Sequence, residues 1–154
     1  MPLKPGDKAP DFTLLDQHGE QFSLKKSLRE KKVWHLIYFY PKADTPGCTT
    51  QACGLRDAMS QVGDAVVIGV SPDASPRLQK FDTKYSLGFP LLADEDHAVA
   101  EAYDVWAEKS MYGRKYMGIV RSAFLIDEKG KIAEAWYKVS PADTPRNLLK
   151  ALSS

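Results

Sequence analysis

The longest apolar run in the chain is Val33-Trp34-His35-Leu36-Ile37-Tyr38-Phe39-Tyr40, in which β-branched and aromatic residues follow one another with almost no polar alternation. A run of that kind predicts a strand covered on both faces, as at the centre of an α/β sheet. Ala65-Val66-Val67-Ile68-Gly69-Val70 has the same character and predicts a second central strand. Residues 12–15 and 21–23, joined by the turn-like Gln17-His18-Gly19-Glu20, predict a short extended pair. Residues 122–127 and 132–137 flank Glu128-Lys129-Gly130 and predict a hairpin with glycine in its turn.

Between these strands lie helix signals. Thr45-Pro46 is a start: threonine suits the N-cap, and proline suits the first helical position, where its missing N–H would have no intrahelical partner. The helix is expected to run to about residue 61, ahead of Gly63-Asp64. Ser75-Pro76 repeats the signal for a helix to about residue 85, and further helices are expected over 97–103 and 144–152. Strands separated by helices and closed by a hairpin and a helix predict an α/β layer fold, a central mixed β-sheet flanked by helices. A thioredoxin-like arrangement is the natural candidate. No repeat, low-complexity segment or linker interrupts the sequence, so a single domain over 1–154 is expected.

Composition narrows the function. A chain of this length can bury roughly 70% of its unfolded surface, so it needs neither a disulfide nor a metal for stability. Twenty-one basic residues against twenty acidic ones leave a formal charge of +1, which offers no footprint for nucleic acid or an anionic membrane. The apolar run at 33–40 is too short to span a bilayer, and the first residues show no apolar secretory segment. A cytoplasmic protein is therefore expected. In a reducing compartment, two cysteines point to catalysis, redox chemistry or metal binding rather than to a structural bridge.

With the cap at Thr45, Cys48 occupies the third helical position. Free backbone N–H groups and the positive end of the helix dipole there favour thiolate over thiol, and the thiolate is the nucleophile. The plainer alternative is a small apolar residue packed in the core. Cys53 follows five residues later. Five helical residues rise about 7.5 Å, which leaves the two Cα atoms roughly 8–9 Å apart on different faces. A disulfide spans at most about 7 Å, so any bond between them requires the helix start to unwind. Gly47, Gly54 and the exposed cap would ease that step. Cys53 could instead only pack. Four intervening residues exclude a C-x-x-C motif, and His18, His35 and His97 are too scattered to complete a zinc site. His35 is read as a hydrogen-bonded core or edge residue and His97 as a helix-start residue. Asp94-Glu95-Asp96 lacks the remaining ligands of a calcium loop and is read as a solvated helix entry. Tyr103, Trp106, Tyr112 and Tyr116 could line a pocket for an organic substrate, but are read first as core.

The run Tyr40-Pro41-Lys42-Ala43-Asp44-Thr45-Pro46-Gly47-Cys48-Thr49 resembles the active-site signature of the peroxiredoxins, P-x-x-x-T/S-x-x-C. The longer stretch 39–57, Gly6-Asp7-Lys8-Ala9-Pro10-Asp11-Phe12 and Gly118-Ile119-Val120-Arg121-Ser122-Ala123-Phe124-Leu125-Ile126-Asp127 resemble the peroxiredoxin Q subfamily, also called bacterioferritin comigratory protein. These segments occur in order and span nearly the whole chain. The resemblance implies a thiol peroxidase with Cys48 as peroxidatic and Cys53 as resolving cysteine, joined in an intramolecular disulfide. It implies that Thr45 contacts the thiolate and the peroxide, that Pro41 shields the sulfur, and that Arg121 reaches it from a later strand. Gln51 lies where relatives often carry glutamate or glutamine, a plausible polar substrate contact. Implied partners are a hydroperoxide and thioredoxin or a similar dithiol, with no cofactor or metal and a monomeric state. Two other readings stay open at this point: a general thiol–disulfide oxidoreductase, and a redox-sensing or chaperone-like binding protein using the same disulfide as a switch.

Overall fold

In a computed structural model, residues 2–153 are described; Met1 and Ser154, the two ends of the expected 1–154 domain, lie outside them. Strands β1 (Thr13–Leu15), β2 (Gln21–Ser23), β3 (His35–Phe39), β4 (Val66–Ser71), β5 (Leu91–Ala93), β8 (Ser122–Ile126) and β9 (Ile132–Trp136) form one sheet in the order β2-β1-β5-β4-β3-β8-β9. Strands β3, β4 and β5 run parallel, while β1, β2, β8 and β9 join antiparallel, so the sheet is mixed. A separate hairpin consists of β6 (Trp106–Met111) and β7 (Arg114–Ile119).

The helices are α1 (Leu24–Lys31), α2 (Pro46–Ala58, continued by one 3-10 turn), α3 (Ser75–Tyr85), α4 (Ala98–Ala102) and α5 (Asp143–Leu152). Alternating residues of the central strands feed two cores. Leu36, Tyr38, Val67 and Leu125 pack with Ala52 and Leu55 of α2, Leu78 and Phe81 of α3 and Leu148 of α5. Ile37, Phe39, Ile68 and Phe124 pack on the other face with Leu24 of α1 and Val99 and Ala100 of α4. Burial on both faces is why these strands read as continuous apolar runs.

Several details depart from expectation. Helix α1 and the β6–β7 hairpin were not foreseen. Its turn, Tyr112-Gly113, has positive φ at both residues (52° and 78°), a conformation that suits a two-residue hairpin but is rare for tyrosine. Tyr103 is core, but Tyr112 and Tyr116 are exposed on this hairpin, whose outer face nothing covers among the described residues. Trp106 is half-buried and stacks on the His97 ring at 3.8 Å. Asp94 is buried rather than solvated: its carboxylate accepts the N–H groups of Val99 and Ala100 at 3.2 and 2.9 Å, capping α4, and burial pushes its carboxyl up from the usual range. His35 is a hydrogen-bonded core residue and His97 the N-cap of α4, as read from the sequence. Among the described residues no helix is long and apolar enough to cross a membrane.

Candidate active site

The sheet topology gathers the expected residues. Strand β3 points its C-terminal end into the 40–45 loop and α2, and β8 runs antiparallel beside it with Phe39 opposite Ser122. The residue before β8, Arg121, therefore lies at the same sheet end as the first turn of α2. Across 73 positions of sequence, Arg121 Nη2 donates to Cys48 Sγ at 3.4 Å. Cys48 is buried at the third position of α2, and both cysteines are free. The other arm of the guanidinium, Nη1, donates to Gln51 Oε1 at 2.7 Å. Gln51 is fully buried one turn beyond Cys48, and its Nε2 donates to Thr144 Oγ1 of α5 at 2.9 Å.

Gly47 makes room for this arrangement. A methyl group there would stand 3.1 Å from Arg121 Nη2 and 3.5 Å from Pro141. The guanidinium thus sits against bare backbone. Gly54 does the same for α5, where a methyl would meet Pro145 Cγ at 3.0 Å. Both glycines were expected only to loosen the helix; the structure gives each a packing reason as well.

Thr45 takes the N-cap position of α2 but does not cap it with its side chain. Its hydroxyl donates to the Lys42 carbonyl at 2.8 Å, which closes the loop on itself, while the Thr45 carbonyl accepts the Thr49 N–H at 2.8 Å. Pro41 is partly buried at the head of the same loop. That loop is pinned from the α3 side by residues the sequence did not single out. Asp73 Oδ2 accepts the Ala43 N–H at 2.7 Å, Arg77 Nη2 donates to the Ala43 carbonyl at 3.0 Å, and Arg77 Nε pairs with Asp73 at 3.1 Å. Lys84 and Tyr85 hold Asp44, at 3.1 and 2.9 Å, and the Lys84 hydrogen bond keeps its carboxyl below the usual range.

Three more unforeseen residues bear on the thiol, Lys109 through its charge and Tyr38 and Tyr40 through packing. Lys109 of β6 donates to the Ile119 carbonyl at 2.8 Å; burial, then the Arg121 charge, lower its ammonium pKa, and the Cys48 sulfur opposes them. Beneath Cys48, Tyr38 and Tyr40 stack at 5.3 Å, both fully buried. Burial pushes both phenols far up, so they stay neutral. The helix-start signal behind Cys48 and the resemblance behind Arg121 carry no mark of Thr144 or Lys109, because their relevance comes from α5 and the hairpin folding back. Cys53 is partly buried, facing the core shared with α5. Among the described residues no group of three or more His, Cys, Asp or Glu side chains could hold a metal.

A buried cysteine at a helix start, met by a fixed guanidinium on a thioredoxin-fold sheet, defines a thiol-based redox enzyme. Residues 5–135 match the AhpC/TSA family, and the chain belongs to that family. Its relatives narrow the class. The chain is 46% identical to peroxiredoxin Bcp of Bacillus subtilis over 99% of its own length and 96% of the relative's. It is 53% identical to peroxiredoxin Bcp of Escherichia coli K12 over 85% and 83% of the two chains. Among solved structures, a PrxQ variant of Xylella fastidiosa superposes with a TM-score of 0.90 at 31% identity, covering 99% and 97% of the chains. The bacterioferritin comigratory protein of Xanthomonas campestris, studied for alkyl peroxide reduction, gives 0.84 at 36% identity over 92% and 90%. Peroxiredoxins are thiol-dependent peroxidases, and that is the enzymatic class of this chain.

Proposed function

We propose that Cys48 is the atom that meets the peroxide and that Cys53 resolves the product. The observation that carries this reading is the Arg121 Nη2 contact to Cys48 Sγ, 3.4 Å, in the first turn of α2. A guanidinium is a cation that presents several N–H donors in one plane. It supports a thiolate on Cys48 and then the negative charge on the departing oxygen, an oxyanion-hole effect. The thiolate attacks the terminal oxygen of ROOH. The O–O bond breaks, an S–O bond forms, and the alkoxide or hydroxide leaves with a proton as alcohol or water. Cysteine is oxidised to sulfenic acid and the peroxide is reduced. The Cys53 thiol then displaces hydroxide from the sulfenic acid, forming a disulfide and one water. A dithiol, of which thioredoxin is the type the resemblance implies, restores both thiols by exchange.

In this reading Pro41 shields the sulfur, Thr45 turns its hydroxyl from Lys42 to the incoming peroxide, and Gln51 holds Arg121. The same reading takes the enzyme as one domain over 1–154, a cytoplasmic monomer needing no cofactor. Hydrogen peroxide and organic hydroperoxides, including alkyl hydroperoxides of the kind studied with the Xanthomonas relative, are its substrates. Stopped-flow tryptophan fluorescence against hydrogen peroxide is the test. Wild type is expected to oxidise far faster than free cysteine and Cys48→Ser to give no oxidation phase. After one equivalent of peroxide, Cys53→Ser should carry a sulfenic or sulfinic Cys48 by mass spectrometry. Oxidation landing first on Cys53 would remove the assignment.

A further inference from the structure

Gln51 and Arg121 belong to the site already described, but what fixes Gln51 lies on another element. A glutamine amide offers oxygen on one side and NH2 on the other, and a guanidinium can only donate. The contact between Arg121 Nη1 and Gln51, 2.7 Å, is favourable only when the amide oxygen faces Arg121. The reverse orientation would set donor against donor beside Cys48. Gln51 is completely buried, so solvent cannot supply a substitute partner for its amide.

The far side of that amide meets Thr144 Oγ1 at 2.9 Å. Thr144 is also fully buried, and its hydroxyl donates at 3.0 Å to the Ser140 carbonyl, which can only accept. With its single proton committed there, Thr144 presents only lone pairs to Gln51. The amide NH2 must then face Thr144 and the amide oxygen must face Arg121. The chain of donors runs one way, from Arg121 to Gln51 to Thr144 to Ser140, and each link fixes the direction of the one before it.

We propose that Thr144 is a positioning residue for the peroxidase reaction: through Gln51 it fixes the Arg121 guanidinium on the Cys48 sulfur and on the oxygen that leaves. Two neighbours make the support rigid. Gly47 lets the guanidinium lie against helix α2, and Pro141, ahead of α5, closes over the same glycine. The first turn of α5 thereby becomes part of the active site without touching substrate. The proposal rests on the assignment of Cys48 as the peroxidatic thiol.

The test compares two rates in the full-length Cys53→Ser background, so that Cys48 is the only thiol. One is the bimolecular reaction with hydrogen peroxide; the other is alkylation by iodoacetamide at the same pH. Alkylation needs the thiolate but expels iodide, so it makes no use of the guanidinium as a support for departing oxygen. Thr144→Val keeps the shape and removes the acceptor. It is expected to slow the peroxide reaction about tenfold, as a displaced transition-state donor does, and alkylation much less. Thr144→Ser, which keeps the hydroxyl, is expected to restore the peroxide rate. If Thr144→Val fails to melt cooperatively, Thr144→Ala removes the same oxygen without bulk and is read in the same way. An unchanged peroxide rate, an equal fall in both rates, or a serine variant as slow as valine overturns the proposal. A parent protein no faster with peroxide than free cysteine would instead strike the Cys48 assignment itself, so the two failures are told apart.

Discussion

At the residue scale, the site depends on atoms that are missing as much as on those present. Cys48 and Arg121 are visible in the sequence, the first by its place after Thr45-Pro46 and the second by the resemblance of the 118–127 segment. Gly47 was legible only as a helix weakener. Its closeness to Arg121 Nη2 predicts a separation of stability from activity in Gly47→Ala. Alanine gains about 0.5–1 kcal/mol of helix propensity over glycine. The methyl at 3.1 Å must push the end of the arginine side chain aside by a few tenths of an ångström, which strains its bond to buried Gln51 and offsets that gain. The same movement takes a donor off the sulfur and the leaving oxygen, and misplacement on the scale of 1 Å can cost up to about 100-fold in rate. We expect a thermal midpoint close to wild type and a peroxide rate constant lower by about tenfold or more. A variant with wild-type rate would show that Arg121 does not need its present seat.

At the element scale, the disulfide and α2 exclude each other. Both cysteines lie within the continuous helix Pro46–Ala58. Helical rise separates their Cα atoms by roughly 8–9 Å, beyond the reach of about 7 Å for a disulfide. Unwinding must also release what α5 holds: the Gln51–Thr144 hydrogen bond and the contact of Gly54 with Pro145. Hydrogen exchange read by mass spectrometry should therefore show peptides covering 46–53 protected in the dithiol protein and strongly deprotected in the disulfide form, with β3 and β4 unchanged. A disulfide that forms while α2 keeps its protection would contradict the geometry. The separation behind this expectation was readable from five residues of spacing, whereas whole elements elsewhere were not. Helix α1 offers only Leu24 and Leu28 as a one-turn apolar pair among lysines, arginine and glutamate, and its start at Ser23 follows directly on a strand. The β6–β7 turn hides because Tyr112-Gly113 lacks the asparagine or aspartate that marks such turns. Asp94 misled for the opposite reason: its two acidic neighbours suggest solvent, but two N–H groups of α4 draw its carboxylate inside.

At the scale of the whole molecule, one histidine ties stability to pH. His35 opens the central strand β3 with its side chain buried against α1. The Val33 carbonyl, 2.8 Å from Nδ1, can only accept, so Nδ1 carries the proton and Nε2 accepts from the Ser27 hydroxyl at 2.7 Å. The neutral ring satisfies both partners. A second proton would have to be desolvated and would meet the Lys31 charge. Burial first, and Lys31 with it, hold the imidazole below its usual value, although the Val33 hydrogen bond works the other way. A histidine depressed in the fold binds its proton more readily when the chain unfolds. Its contribution is therefore complete above the unfolded value of about 6.5 and is lost as pH falls below it, until the folded ring also titrates. Asp94, raised by burial, acts with the opposite sign: as pH falls the fold takes up its proton more readily than the unfolded chain does, so it offsets part of the loss rather than adding to it. Each kcal/mol lost shifts a melt by about 2–4 °C in a chain of this size, so the thermal midpoint reads the effect directly. The thermal midpoint should thus fall between pH 7 and pH 5 in the wild type. His35→Gln, which cannot titrate, should melt lower at pH 7 but vary little across that interval; an equally steep fall in the variant would place the acid sensitivity on other groups.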